Sequence, residues 1–132
     1  MNLEILNIAS DIDNNRSIKN HTHRSKLKNS LCGDEVIIEL IIKNNKIVDF
    51  GYHGNSCIYC QASSSLLSKI SVNNQKDTIN KLCDDANYFF EGKIDSIGKK
   101  KLLLGKLFTK KNLSRKECIL LPFKTLKKIV SN

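Results

Sequence analysis

Two β-branched apolar runs, EVIIELIIK at 35–43 and KIVDFGYH at 46–53, flank Asn44-Asn45, and from Cys57 onward the apolar spacing becomes helical. That change of period restricts the chain more than any other feature. Asparagine tolerates positive φ, so the Asn pair suits a tight hairpin turn between two antiparallel strands. Gly51 and Gly54 mark irregular ends on the second strand.

Helical spacing then persists to the end of the chain. Ala62, Leu66, Leu67 and Ile70 predict a helix over 57–71. Asp77 or Thr78 can cap a second helix carrying Ile79, Leu82, Cys83, Ala86 and Phe90. Residues 93–112 read as a basic helix or turn with Ile97, Leu102, Leu103 and Leu104. Ser114 can cap a last helix to Val130, which Pro122 should kink or limit, because proline removes a backbone donor. A hairpin followed by helices, without βαβ alternation, predicts an α+β fold: a small antiparallel sheet, the hairpin plus room for a third strand, packed against several helices. The 132 residues suffice for one core and no repeat is visible, so 1–132 reads as a single domain. Residues 1–30, with only Ile12, Ile18 and Leu27 apolar in the stretch 11–30, predict a loosely ordered arm ahead of a core at 31–132.

Charge is unevenly placed. Residues 1–92 hold 10 Lys/Arg against 11 Asp/Glu, whereas residues 93–132 hold 12 against 2, so the whole excess of +9 lies in the last third. Such a face suits an anionic partner or a solvated helical surface. With 6 % aromatics and no Trp, the stacking platforms that single-stranded nucleic acid requires are scarce. Residues 3–8 are too short and too acidic for a signal peptide and no run reaches a membrane span, so neither nucleic acid nor membrane is an expected partner and the location expected is cytoplasmic.

In that compartment Cys32, Cys57, Cys60, Cys83 and Cys118 count as reduced thiols, and their odd number favours metal or thiol chemistry over a disulfide framework. On extended backbone Cys32 and Asp34 project to one side. Antiparallel pairing brings the start of the first strand near the end of the second, hence Cys32 near Cys57. A helix N-terminus at Cys57 favours thiolate. Cys118, at the start of the last helix, would complete three thiolates and a carboxylate, a plausible tetrahedral zinc set with one weaker oxygen ligand. Cys57-x-x-Cys60 also has the spacing of a redox pair, but the βαβ context of that motif is missing, and Cys60 reads as a packing residue. Cys83 lies on an apolar helix face. His21 and His23 sit in the polar arm as solvated histidines, and His53 falls near Cys57. Ser63–Ser65 have no His–Asp partners and read as close-packing residues.

CGDE at 32–35, GNSCIYCQASSSLLS at 54–68 and RKECILLPFKTL at 115–126 together resemble the U-type iron–sulfur cluster assembly proteins, the IscU, SufU and NifU N-terminal family, over roughly residues 29–130. The SufU branch is the more similar. The 61-residue separation of Cys57 and Cys118 leaves room for an additional helical stretch near 84–105, and Glu117 stands where the IscU branch has a histidine. The resemblance implies a zinc site of Cys32, Asp34, Cys57 and Cys118. It also implies that Cys32 accepts persulfide sulfur from a pyridoxal-phosphate cysteine desulfurase, whose histidine takes over the metal position as the cysteine leaves. Arg115 matches the arginine associated with that exchange, and downstream scaffold or apo-acceptor proteins are the implied recipients. A zinc-dependent sulfurtransferase is the first reading. A non-enzymatic scaffold holding a labile [2Fe–2S] cluster or iron on the same residues is the second. The chain departs from the family's N-terminal D-H and N-P-x-N-x-G segments, offering DIDNNRSIKNHTHRSKLKNS instead.

Overall fold

A computed structural model describes residues 3–98 and 103–132, together with the backbone alone of residues 101 and 102. The elements in chain order are α1 (Leu3–Ala9), β1 (His23–Lys28), β2 (Glu35–Lys43), β3 (Lys46–Asn55), α2 (Ile58–Ser71), α3 (Lys76–Phe90), α4 (Lys101–Leu104), a 3-10 helix (Lys110–Arg115) and α5 (Lys116–Val130). The sheet is antiparallel in the order β1-β2-β3, so the fold is α+β. Asn44 and Asn45 take φ of 52° and 61°, the left-handed pair that a two-residue hairpin needs. A bulge after Ile41 lets Ile47 and Phe50, three positions apart, both be buried.

Val36, Ile38 and Leu40 alternate into a core shared with Phe50, Tyr52 and the apolar faces of α2, α3 and α5. Pro122 is accommodated inside an unbroken α5, and the neighbouring carbonyl of Ile119 accepts the Ser63 hydroxyl at 2.6 Å. That bond, with Ala62 and Ser63 both fully buried, lets α2 and α5 approach closely where each begins. The stretch between α3 and α5 is seated by Phe108, whose ring lies 5.7, 5.2 and 5.3 Å from those of Phe89, Phe90 and Phe123. Such aromatic pairs add about 0.5–1.5 kcal/mol each beyond their buried area. Ile97 and Leu104 are buried there and Leu103 is half exposed, while the Leu102 side chain lies outside the described residues. The helix caps expected at Asp77 or Thr78 and at Ser114 fall instead at Gln75 and Arg115.

Residues 3–30, expected as part of a loose arm, carry regular structure. They form α1 and the third strand β1, with Ile5, Ala9 and Ile18 buried. The cause is long-range and polar. Glu39 lies on the face of β2 opposite Ile38, only 4 % exposed, and its Oε1 accepts the Ser17 hydroxyl and the Ile18 N–H, each at 2.9 Å. His21 and Arg24 approach Oε2 at 3.4 Å and His53 approaches Oε1 at 3.6 Å. Burial alone would raise this carboxyl. The Ile18 and Ser17 hydrogen bonds and the two histidines outweigh it and hold the pKa below its usual 4.5. Opposite Glu39 in the register sits Gly51, where a Cβ would meet the Arg16 carbonyl oxygen at 2.5 Å and Ile18 Cγ1 at 2.9 Å. Glycine lets the N-terminal segment lie directly on the strand.

Candidate metal centre

Three element starts converge on one point. Ahead of β2, the Leu31 N–H donates to Asn29 Oδ1 at 2.9 Å and the Gly33 N–H to the Asn29 carbonyl at 2.8 Å. The Asn29 N–H closes the turn on the Asp34 carbonyl at 2.7 Å. Gly33 takes φ of +79°, a conformation that glycine adopts without strain. This turn presents Cys32 exposed at its tip and Asp34 buried beneath it. Pairing of Glu35 with Asn55 brings the end of β3 alongside, so Cys57, the N-cap of α2, falls next to Asp34. Its N–H donates to Asp34 Oδ1 at 3.2 Å. Cys118 enters from the first turn of α5.

The ligand atoms of Cys32, Asp34 and Cys118 lie within 4.8 Å of one another. Cys57 is outside that three-atom set, but its thiol bears directly on Cys118. Burial, the Cys57 thiol and the charges of Asp34 and Cys32 all push the Cys118 pKa upward. Cys118 thus resists ionisation among these neighbours, which is what a divalent ion would relieve. Asp34 Oδ2 is buried with no hydrogen-bond partner, although Oδ1 is used. A buried carboxylate oxygen left unpaired beside two thiols fits a metal ligand, and the soft sulfur donors favour zinc or iron.

Cys60 is fully buried, and burial pushes its thiol up to about 12, so it packs and does not ionise near neutral pH. Cys83 is likewise buried and pushed up to about 12. Arg115 is exposed at the N-cap of α5, with its guanidinium 5.2 Å from the centre of the Tyr59 ring. Tyr59, two residues past Cys57, was not a sequence candidate, because an aromatic side chain in the first turn of a helix reads as core. His53 faces Glu39 and not Cys57, His21 lies against the Ile18 carbonyl and Glu39, and His23 against the Thr22 hydroxyl.

The family model described as the NifU-like N terminal domain matches residues 4–100, ending before Cys118. An uncharacterised protein of Borreliella burgdorferi is 33 % identical over 114 residues, covering 86 % of this chain and 79 % of the relative. The protein named iron–sulfur cluster assembly scaffold protein IscU of Thermotoga maritima is 30 % identical over 100 residues, covering 76 % of this chain and 70 % of its own. Among solved structures, FiSufU of Fervidobacterium islandicum, proposed as an iron–sulfur cluster assembly scaffold for the SUF system, superimposes with a TM-score of 0.86 at 25 % identity over 97 % and 94 % of the two chains. The N-terminal NifU-like structure from Brucella abortus gives 0.82 at 17 % identity over 98 % and 91 %, a likeness of fold. Among the described residues no helix is long and apolar enough to cross a membrane.

Proposed function

The chain belongs to the NifU-like N-terminal domain family of iron–sulfur cluster assembly proteins, and from that premise we propose that it accepts sulfur on Cys32 at a zinc centre held by Cys32, Asp34, Cys57 and Cys118. The observation that carries this reading is the meeting of Cys32, Asp34 and Cys118 within 4.8 Å, with Asp34 Oδ2 buried and unpaired. Zinc bound there would keep its cysteine ligands deprotonated near neutral pH.

Cys32 is the donor best able to leave such a set. It is exposed at the tip of a glycine turn, whereas Asp34 and Cys118 are buried and Cys57 is half-buried at a helix start. Its thiolate attacks the outer sulfur of a persulfide on a partner cysteine desulfurase. The partner's S–S bond breaks, the electron pair leaves on the partner's cysteine sulfur, and the new persulfide is on Cys32 with no net oxidation. Arg115, steadied over Tyr59 two residues past Cys57, supplies positive charge beside the mouth while Cys32 moves.

Metal analysis of protein purified without added iron or chelator should find about one zinc per chain. The protein should also stimulate the desulfurase, and Cys32→Ala should remove the stimulation. Metal-free protein that leaves the desulfurase rate unchanged would refute the reading. A second reading, a scaffold for a labile [2Fe–2S] cluster as cargo on the same residues, is favoured by the scaffold names of the Thermotoga and Fervidobacterium proteins. Anaerobic reconstitution giving visible charge-transfer absorption, longer-lived in Asp34→Ala, would select it. A colourless zinc-loaded product would select the first.

A further inference from the structure

The segment entering α5, Lys110 to Lys116, is an exposed wall of cations beside the Cys32–Asp34–Cys118 centre. Among the described cations elsewhere in the basic third of the chain, Lys93, Lys106, Lys124 and Lys127 have carboxylate partners in Glu91, Glu4, Glu117 and Asp84, and Lys128 donates to the Lys26 carbonyl. Among the described residues Lys110, Lys111 and Lys116 have none, and Arg115 rests on the Tyr59 ring. The carboxylate nearest in sequence, Glu117, is taken by Lys124. Arg115 and Lys116 also stand at the N-terminal end of a 15-residue helix, where the macrodipole disfavours cations.

Two apolar side chains interrupt this rim. Leu113 is 52 % exposed in the middle of the basic segment, and Leu31, next to Cys32, is 87 % exposed. The segment that carries Leu113 is built rather than loose: Asn112 is buried and its amide donates to the Leu107 carbonyl at 2.9 Å. Leucines this bare, one next to Cys32 and one between unpaired cations in sequence, suit the apolar centre of a protein interface with a charged rim.

We propose that Leu31 and Leu113, together with Lys110, Lys111 and Lys116, form the docking face for an acidic protein surface that carries an apolar recess and brings its sulfur atom to Cys32. This rests on the sulfur-acceptor reading and names the chemistry of its partner as protein. A nucleic acid offers anions but no apolar recess, and an anionic membrane, which would accept both leucines, brings no sulfur atom to Cys32.

The test follows binding of the purified, zinc-loaded chain to its cysteine desulfurase directly, by sedimentation, with turnover in parallel, at about 0.05 M and about 0.5 M salt. The wild type should bind more weakly at the higher salt. Lys110→Glu/Lys111→Glu should raise the dissociation constant about tenfold at low salt and converge with wild type at high salt. Leu113→Ser should weaken binding by a similar factor at both. All three proteins should keep the same zinc content and the same maximal stimulation. Variants that bind like wild type, wild-type binding indifferent to salt, or no binding at all would overturn the docking face. So would equal competition by phosphatidylserine vesicles or single-stranded RNA. Binding that behaves as expected without stimulation would support this face while removing the sulfur-acceptor reading.

Discussion

The backbone N–H of Cys57 donates to Oδ1 of Asp34 at 3.2 Å, tying the start of α2 to the turn before β2 and leaving Oδ2 buried and free. One carboxylate therefore has two separable jobs, a structural one on Oδ1 and a ligand's on Oδ2.

Substitution separates them. Asp34→Ala should lose both, destabilising the metal-free protein by about 1–3 kcal/mol through the orphaned N–H. Asp34→Asn keeps an acceptor for Cys57 and should restore most of that stability. Neither supplies an anionic ligand. Zinc affinity, measured by chelator competition, should fall in both by at least the roughly 10–100-fold that loss of an outer-shell partner alone costs. Full affinity in Asp34→Asn would mean that Oδ2 is not a ligand.

Glu39 anchors the N-terminal segment and is remote in role from the metal centre. Removing a charged hydrogen-bond acceptor from Ser17 and Ile18 should cost about 1.5–3 kcal/mol in Glu39→Ala and open residues 10–22 to limited proteolysis, with zinc content unchanged. Because the pKa of this carboxyl is held below 4.5 in the fold, its contribution is present above that value and is lost as pH falls through the folded pKa. The gap in urea midpoint between wild type and Glu39→Gln should therefore be wide at neutral pH and close under acid. A gap that widens under acid would contradict the assignment.

How much of this was legible beforehand follows the range of the interactions. The hairpin is written locally, in β-branched residues around an Asn pair that adopts the left-handed φ values the turn demands. Helix α2 and the apolar faces of α3 and α5 are equally local, since helical periodicity is a short-range signal. Residues 1–30 looked loose because their order is supplied from far along the chain by Glu39, Gly51 and the edge of β2, and polar anchoring leaves no periodic trace. A charge in the middle of EVIIELIIK was the available clue, because a buried carboxylate needs partners. Of the site, antiparallel pairing led to Cys32 near Cys57, and the hydrogen bond is made by Asp34, two residues on from Cys32, whereas the seating of Arg115 on Tyr59 depends on how α5 meets α2, which spacing does not encode.

Cys83 gives a pH test clear of the metal centre. Burial raises its pKa from 9.0 to about 12, so the native state retains a proton that the unfolded state releases in that window. A raised folded pKa stabilises below the unfolded value and loses its effect as pH climbs toward the folded one. Between pH 9 and 12 the thiol should cost about 1.4 kcal/mol of stability per pH unit. Cys83→Ala should remove that share of the slope while leaving the titrations of lysines and Tyr52 in place. Parallel stability curves for the two proteins up to pH 11 would show that Cys83 ionises freely in the fold.

The two cysteines of the Cys57-x-x-Cys60 motif should answer differently to the same substitution, because one helical turn puts them in opposite environments. Cys57 is half-exposed at the N-cap of α2, with its N–H on Asp34 and its thiol against Cys118. Cys60 is fully buried with its thiol pushed up to about 12, so it offers no thiolate at neutral pH. Cys60→Ala should keep wild-type zinc content and desulfurase stimulation, at a packing cost of about 1 kcal/mol for one lost buried heavy atom. Cys57→Ala should be folded to a similar degree yet lose zinc to a chelator that the wild type withstands. It cannot supply the thiol that acts on Cys118, although Cys32, Asp34 and Cys118 still stand within 4.8 Å. Cobalt substitution gives the same comparison by absorption, since each thiolate lost from the shell weakens the sulfur-to-metal charge-transfer band. A weaker band in Cys60→Ala and an unchanged one in Cys57→Ala would exchange the roles of the two thiols.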